Sequence, residues 1–106
     1  MIEAEVYTIV AKENLTELYD EIELHLCDTN SGFGRNLDAL NDVLTGGFGK
    51  LYKNKTEKIK TLLIVKNSST LPQNVRKIFE QAISASKEYY DPHYIYSYEW
   101  LTINLI

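Results

Sequence analysis

The sequence has one cysteine and no long apolar run, and each shortage excludes a class of protein. Cys27 alone cannot form an internal disulfide, so a disulfide-stabilised secreted domain is excluded and a reducing cytosol is the natural compartment. No apolar run approaches the roughly 20 residues of a membrane span, and no basic region followed by an apolar stretch opens the chain as in a signal peptide. We therefore expect a cytoplasmic protein that does not contact membranes.

Basic residues are scarce in the first half of the chain. Fifteen acids against eleven bases give the 106 residues a formal net charge of −4, which argues against a protein that coats nucleic acid with a broad basic surface. Residues 1–49 hold ten acids and two bases, whereas residues 50–106 hold five acids and nine bases. Such a separation of charge can steer a charged partner.

Glycine is absent from most of the chain. All five glycines fall between Gly32 and Gly49. Unusual backbone angles, or close approach by another molecule, are therefore concentrated in this one window.

The hydrophobic share of 44% and the charged share of 25% predict a single soluble domain over residues 1–106. Apolar periodicity predicts strands at 3–10, 61–66 and 101–106, the second of them buried on both faces. Helices are predicted after the capping residues Asn14 and Asn36 and near Pro72, and the lysine-rich segment 50–60 is predicted to be a solvated connection. This order implies an α/β fold, a small three-stranded parallel sheet packed with about three helices.

The predicted helix between Gly34 and Gly46 carries the strongest functional signal. At roughly 100° per residue, its apolar side chains fall on one side, and the opposite side holds Arg35, Asp38, Asp42 and Thr45. Two like charges four residues apart disfavour a helix by a few tenths of a kcal/mol, and a local cost without a local gain indicates a site. The alternative is that Asp38 favours the positive helix end while Asp42 is merely solvated, and the spacing alone leaves both interpretations open.

The same segment resembles a known family. Gly34, Asn36-Leu37-Asp38-Ala39-Leu40, Asp42 and Leu44-Thr45-Gly46 are similar to the signature of the barstar family, intracellular protein inhibitors of secreted ribonucleases of the barnase type. The final residues 101–106 are similar to that family's closing strand. The resemblance implies a three-stranded parallel sheet packed with helices, in agreement with the predicted order of elements.

The resemblance implies inhibition by occlusion, in which the second helix and the loop before it plug the active site of a basic ribonuclease or related nuclease toxin. Asp42 would be the central mimic of an RNA phosphate and Asp38 the second acid. An aspartate of this family is a known interface hot spot, so its prominence comes with the resemblance. The residues expected to contact the partner are Phe33, Gly34, Asn36, Leu37, Asp38, Asn41, Asp42, Thr45, Gly46, Gly47 and Glu80.

We expect a monomer that forms a 1:1 complex, without enzyme activity, cofactor, metal or nucleic-acid partner. An alternative is an RNA-binding module that uses the basic segment 50–60, where Tyr52 lies among five lysines. A third interpretation, an enzyme with His25 and His93 as an acid/base pair, lacks any supporting motif. The row of Tyr94, Tyr96, Tyr98 and Trp100 is a candidate surface for a dimer or a second partner.

Overall fold

A computed structural model of the chain describes residues 5–27, 32–87 and 100–106. The elements are β1 (Glu5–Val10), α1 (Leu15–Leu26), α2 (Leu37–Leu44), α3 (Lys50–Glu57), β2 (Thr61–Lys66), α4 (Gln73–Lys87) and β3 (Leu101–Leu105), with a 3₁₀ turn at Ser68–Thr70. The predicted α/β class and three-stranded parallel sheet are confirmed, with four helices described. The predicted start of the first strand, at residue 3, lies outside the described residues.

β2 is the central strand of the sheet. It pairs in parallel with β1, from Glu5 beside Thr61 to Val10 beside Lys66, and in parallel with β3. The prediction that β2 is buried on both faces is wrong for one face. Leu62 and Ile64 are only half-buried, because the residues paired with them in β3 are the exposed polar side chains Thr102 and Asn104.

The core forms on the other face, where amphipathic helices cover the sheet. α1 packs against β1 and α4 packs against β3, and their apolar stripes supply fully buried side chains such as Leu18, Ile22 and Phe79. α2 packs against α4, α3 and α1. Its side chains Leu40 and Val43 are fully buried, so the opposite side of α2 faces outward.

Residues 50–57 form a helix where the sequence predicted a solvated connection, and that prediction is wrong. Only Leu51 and Asn54 of α3 are buried, so the segment shows too little apolar periodicity to indicate a helix. Lysine is nevertheless a good helix former, and the helix closes at Lys58, whose left-handed conformation ends it. The five lysines of the RNA-binding interpretation therefore belong to a helix and its C-terminal extension.

Asn54 anchors α3 to the sheet through a polar cluster. Its side chain is 1% exposed, and its Nδ2 lies 3.0 Å from Thr61 Oγ1, 3.1 Å from Glu5 Oε2 and 3.3 Å from the Tyr7 hydroxyl. The Tyr7 hydroxyl in turn donates to Glu5. A buried amide must find hydrogen-bond partners, and these lie on β1 and β2, which fixes where α3 sits.

Among the helices that the structure describes, none has the length and apolar character needed to cross a bilayer.

Candidate functional site

α2 begins at a side-chain cap. Asn36 Oδ1 accepts a 2.7 Å hydrogen bond from the Ala39 N–H, as the sequence predicted, and Asn36 Nδ2 donates to the Gly34 carbonyl at 3.4 Å. The cap satisfies a backbone donor that would otherwise lack a partner. It also fixes the angle at which the loop 32–36 enters the helix.

α2 ends in a Schellman motif. Gly46 takes a left-handed conformation, with φ of 79°, one of the unusual backbone angles expected within the glycine window. Its N–H donates to the Val43 carbonyl at 3.3 Å, and the N–H of Gly47 donates to the Asp42 carbonyl at 2.7 Å. An ideal Cβ on Gly46 would lie 2.8 Å from Lys55 Cδ and 2.9 Å from Trp100 Cζ2. The structure therefore places Gly46 in the interior, beneath other side chains of the chain.

Asp38 and Asp42 lie on the exposed side of α2. Asp38 is in the first turn, where a negative charge favours the helix. Neither carboxylate forms a hydrogen bond or ion pair with any other residue that the structure describes. The repulsion between them is therefore not offset by a cationic side chain among the described residues, and both carboxylates remain available to a partner.

A small groove separates the loop 32–36 from α2. It has a volume of about 150 Å³ and is lined by Gly32, Phe33, Gly34, Ala39, Asp42 and Phe48. Phe33 is 8% exposed and Phe48 is half-buried against the core. The groove thus brings together two aromatic residues, two glycines and Asp42.

Arg35 does not share the outward side of α2 with the aspartates, so that prediction is wrong. α2 begins at Leu37, and the backbone of Arg35, with φ of 53°, directs its side chain to α1. Nη1 donates to Glu23 Oε1 at 2.7 Å, and Nη2 donates to Asp20 Oδ1 at 2.8 Å. The hydrogen bond to Glu23, followed in importance by the one to Asp20, raises the pKa of Arg35 above its ordinary value.

The other predicted contact residues lie in different settings. Leu37 and Asn41 are half-buried, and the Thr45 hydroxyl donates to the Asn41 carbonyl at 2.8 Å, so its proton is engaged within α2. Gly47 lines a 270 Å³ depression between α2, Lys55 and the Ala85 region of α4. Glu80 is exposed on α4 and lines a neighbouring open depression of 420 Å³, which also includes Ala85.

A protein-family model described as Barstar (barnase inhibitor) matches residues 7–92, well over half of the chain. The chain belongs to the barstar family. No match was found among curated proteins or among solved structures. Members of the barstar family are inhibitors of barnase rather than enzymes, and all eleven expected contact residues of this barstar-family chain lie within the matched range.

Ala39 and Phe48 line the groove of this barstar-family protein although they were not among its predicted contact residues. Ala39 gives no sequence signal because alanine is common in helices. Phe48 had the signal of an aromatic side chain within the glycine window.

His25 and Cys27 are not among the residues that line the groove. His25 Nε2 is 3.8 Å from Glu21 Oε2 on α1, and Cys27 is buried. Among the described residues, no three His, Cys, Asp or Glu side chains form a group that could hold a metal ion. His93 and the three tyrosines Tyr94, Tyr96 and Tyr98 lie outside the described residues, and Trp100 is 2% exposed.

Proposed function

We propose that this protein inhibits a ribonuclease of the barnase kind, or a related nuclease toxin, by placing α2 and the loop 32–36 in the enzyme's active site. The observation that carries the proposal is the pair of exposed carboxylates on one side of α2, Asp38 and Asp42, which have no partner among the described residues. Membership of a family of barnase inhibitors gives the class of target.

The two carboxylates suit an enzyme that binds RNA phosphates. A nuclease cleft offers cationic side chains to phosphate oxygens, and carboxylate oxygens accept the same charge-assisted hydrogen bonds from arginine or lysine. Successive turns of one helix hold Asp38 and Asp42, so their backbone positions are set before binding and little backbone freedom is lost on association. The pair therefore supports mimicry of RNA phosphates, with Asp42 as the central acid.

The groove supports a second kind of contact. Its volume of about 150 Å³ has room for a single side chain of the partner between Phe33, Phe48 and the loop backbone. A cationic side chain inserted there would lie against aromatic surface with the Asp42 carboxylate at its end, an arrangement that attracts cations. Glu80, exposed on α4, would extend the acidic surface.

We propose further that the protein acts in the cytoplasm as a monomer in a 1:1 complex, with no cofactor or metal and with no nucleic acid bound. Inhibition by occlusion requires only one binding segment on one chain. The acidic first half of the chain, with ten acids and two bases, would repel RNA and attract a basic enzyme.

The test measures inhibition of barnase and a panel of purified barnase-type ribonucleases, followed by binding of the enzyme that is inhibited most strongly. Asp42→Ala should weaken binding by about 2 kcal/mol or more, the usual size of an interface hot spot, and Asp38→Ala by about 1 kcal/mol. Asp42→Asn keeps the shape and removes the charge, so its loss should approach that of the alanine variant.

Glu13→Ala is the matched control, since Glu13 is an exposed acid that precedes α1 and lies outside α2. It should change the binding free energy by less than about 0.5 kcal/mol. Losses below about 1 kcal/mol for both aspartate variants would contradict phosphate mimicry. Failure to inhibit any member of the panel would contradict the proposed target, and salt-sensitive binding of labelled RNA would favour the RNA-binding alternative.

A further inference from the structure

Arg35 joins the loop 32–36 to the exposed surface of α1 through three hydrogen bonds. Besides the bonds to Glu23 and Asp20, Nη2 donates to the Thr16 carbonyl at 3.0 Å. The three acceptors occupy successive turns of α1, and only the planar guanidinium fork can reach all of them at once. The loop is thus tied to a helix that packs against the sheet.

The backbone at Arg35 is held in an unfavourable conformation. Its φ of 53° lies in the left-handed region that residues with a Cβ rarely adopt. Such a conformation persists only where the surroundings determine it, and it is found disproportionately at binding and switch segments. Here the surroundings are the hydrogen bonds to α1, made possible because the left-handed turn directs the side chain away from α2.

A chain of contacts connects Arg35 to the groove. The guanidinium carbon lies 5.9 Å from the centre of the Tyr19 ring, and the Tyr19 ring meets Phe33 edge to face, with centres 5.8 Å apart. Phe33 lines the groove together with Asp42. Release of Arg35 would therefore free the loop on one side of the groove and loosen the aromatic wall on the same side.

We propose that Arg35 is a positioning residue that keeps the loop 32–36 and the groove in the arrangement that binds the partner, acting through Asp20 and Glu23 rather than by touching the partner. The proposal rests on the proposed function, because it concerns how the same segment is kept ready for binding. A loop that is ordered before binding loses less conformational entropy on association, so its affinity is higher.

The test compares Arg35→Gln with a double variant, Asp20→Ala with Glu23→Ala, which removes the two carboxylate acceptors on α1 and leaves the loop sequence intact. In the free protein, both should lower the backbone ¹⁵N order parameters of residues 33–36 from about 0.85 to below about 0.6. The order parameters of β2 should not change, and the emission of Trp100, the single tryptophan, should report an intact core.

Both variants should also weaken binding to the inhibited ribonuclease by about tenfold or more, measured at high salt so that the lost charges have little long-range effect. Glu13→Ala with Glu17→Ala is the matched control, since it removes two carboxylates from exposed acids that do not bind Arg35, and the affinity should stay within about threefold of the unmodified protein. Combining the Arg35, Asp20 and Glu23 changes should add nothing to the loss from Arg35→Gln alone.

Unchanged order parameters in residues 33–36 would overturn the proposal whether or not any ribonuclease is bound. A loss of affinity confined to Arg35→Gln, with the Asp20 and Glu23 variant binding normally, would also overturn it, because Arg35 would then contact the partner itself. If the variants lower the order parameters of residues 33–36 in the free protein but the unmodified protein inhibits no ribonuclease of the panel, the role of Arg35 in ordering the loop is supported and the proposed target is contradicted.

Discussion

Glu5 is an exposed carboxylate whose hydrogen bonds link folding stability to pH. The Tyr7 hydroxyl and the Asn54 amide donate to it, and together with the nearby charges of Lys53 and Lys50 they lower the pKa of Glu5 from its ordinary value of 4.5. Because the pKa of Glu5 is lower in the folded state than in the unfolded state, its ionised form stabilises the fold. This stability is fully present at a pH above the unfolded-state pKa, and it is lost as the pH falls through the folded-state pKa. Glu5 therefore stabilises the fold at neutral pH and not in acid.

We expect Glu5→Gln to lower the free energy of unfolding at neutral pH by up to about 1 kcal/mol, a modest effect because solvent screens an exposed group. The difference from the unmodified protein should shrink as the pH falls below 4.5 and vanish at the acid end. Urea denaturation over a series of pH values measures it. Glu13→Gln, at an exposed carboxylate outside the Asn54 cluster, is the control, and an equal pH-dependent difference there would contradict the role given to Glu5.

At the scale of elements, the junction between α1 and α3 depends on Gly49. Its φ of 80° and ψ of −156° lie in a region that essentially only glycine adopts. An ideal Cβ there would lie 2.5 Å from the Leu26 carbonyl oxygen, a backbone atom at the end of α1 that cannot rotate away. Although Gly49 belongs to the glycine window, its conformation serves packing between two helices.

Gly49→Ala should therefore lower the free energy of unfolding by about 2–4 kcal/mol, through backbone strain and overpacking together. Gly32→Ala provides a comparison, because Gly32 also has a positive φ, 79°, but no atom of the described residues lies within 4 Å of the position of a Cβ. Its cost should be only about 1–2 kcal/mol. Urea denaturation of both variants decides the matter, and equal losses would show that the contact with Leu26 is unimportant.

The elements differ in how well the sequence predicted them, for physical reasons. α2 has a capping residue at Asn36, a regular apolar stripe and a terminal glycine, and each acts locally, so its bounds follow from the sequence. α3 lacks these local signals. Hydrogen bonds from the Asn54 side chain to residues on β1 and β2 hold it in place instead. Local pattern cannot reveal an anchor whose partners lie 7 to 49 residues away.

In the candidate site, too, local features could be predicted from the sequence and long-range ones could not. The position of Asp38 and Asp42 on one side of a helix followed from their spacing. The direction of Arg35 did not, because a left-handed residue before the helix start breaks the periodicity from which its side was predicted. The groove could not be predicted from the sequence either, because Phe33 precedes α2 in the chain and Phe48 follows it, and only the fold brings them together.

At the scale of the whole molecule, charge is divided between the two halves of the chain, with a net of −8 in residues 1–49 and +4 in residues 50–106. α2 and the loop 32–36 belong to the acidic half. The acids of α2 and α1 near this loop would attract a basic enzyme at long range, which raises the rate of association more than the final affinity.

We expect association with the inhibited ribonuclease to slow by about tenfold or more as ionic strength rises from about 0.01 M to about 1 M, where the screening length falls from about 30 Å to about 3 Å. Stopped-flow measurement of the association rate gives the dependence. Asp38→Asn with Asp42→Asn should flatten it, whereas Glu13→Asn should flatten it less. A rate that does not change with salt would contradict electrostatic steering.

The central place of β2 determines when this fold can form during synthesis. β1 and β3 each pair only with β2 in the described sheet, and 50 residues, including α1, α2 and α3, separate the end of β1 from the start of β2. At roughly 5–20 residues per second, β1 waits about 3–10 s for its partner strand to be translated. The acidic helix α2 is thus made before the sheet that orders the molecule, and any binding that depends on the folded arrangement around α2 is delayed until the C-terminal half has emerged and its distant parallel pairings have formed.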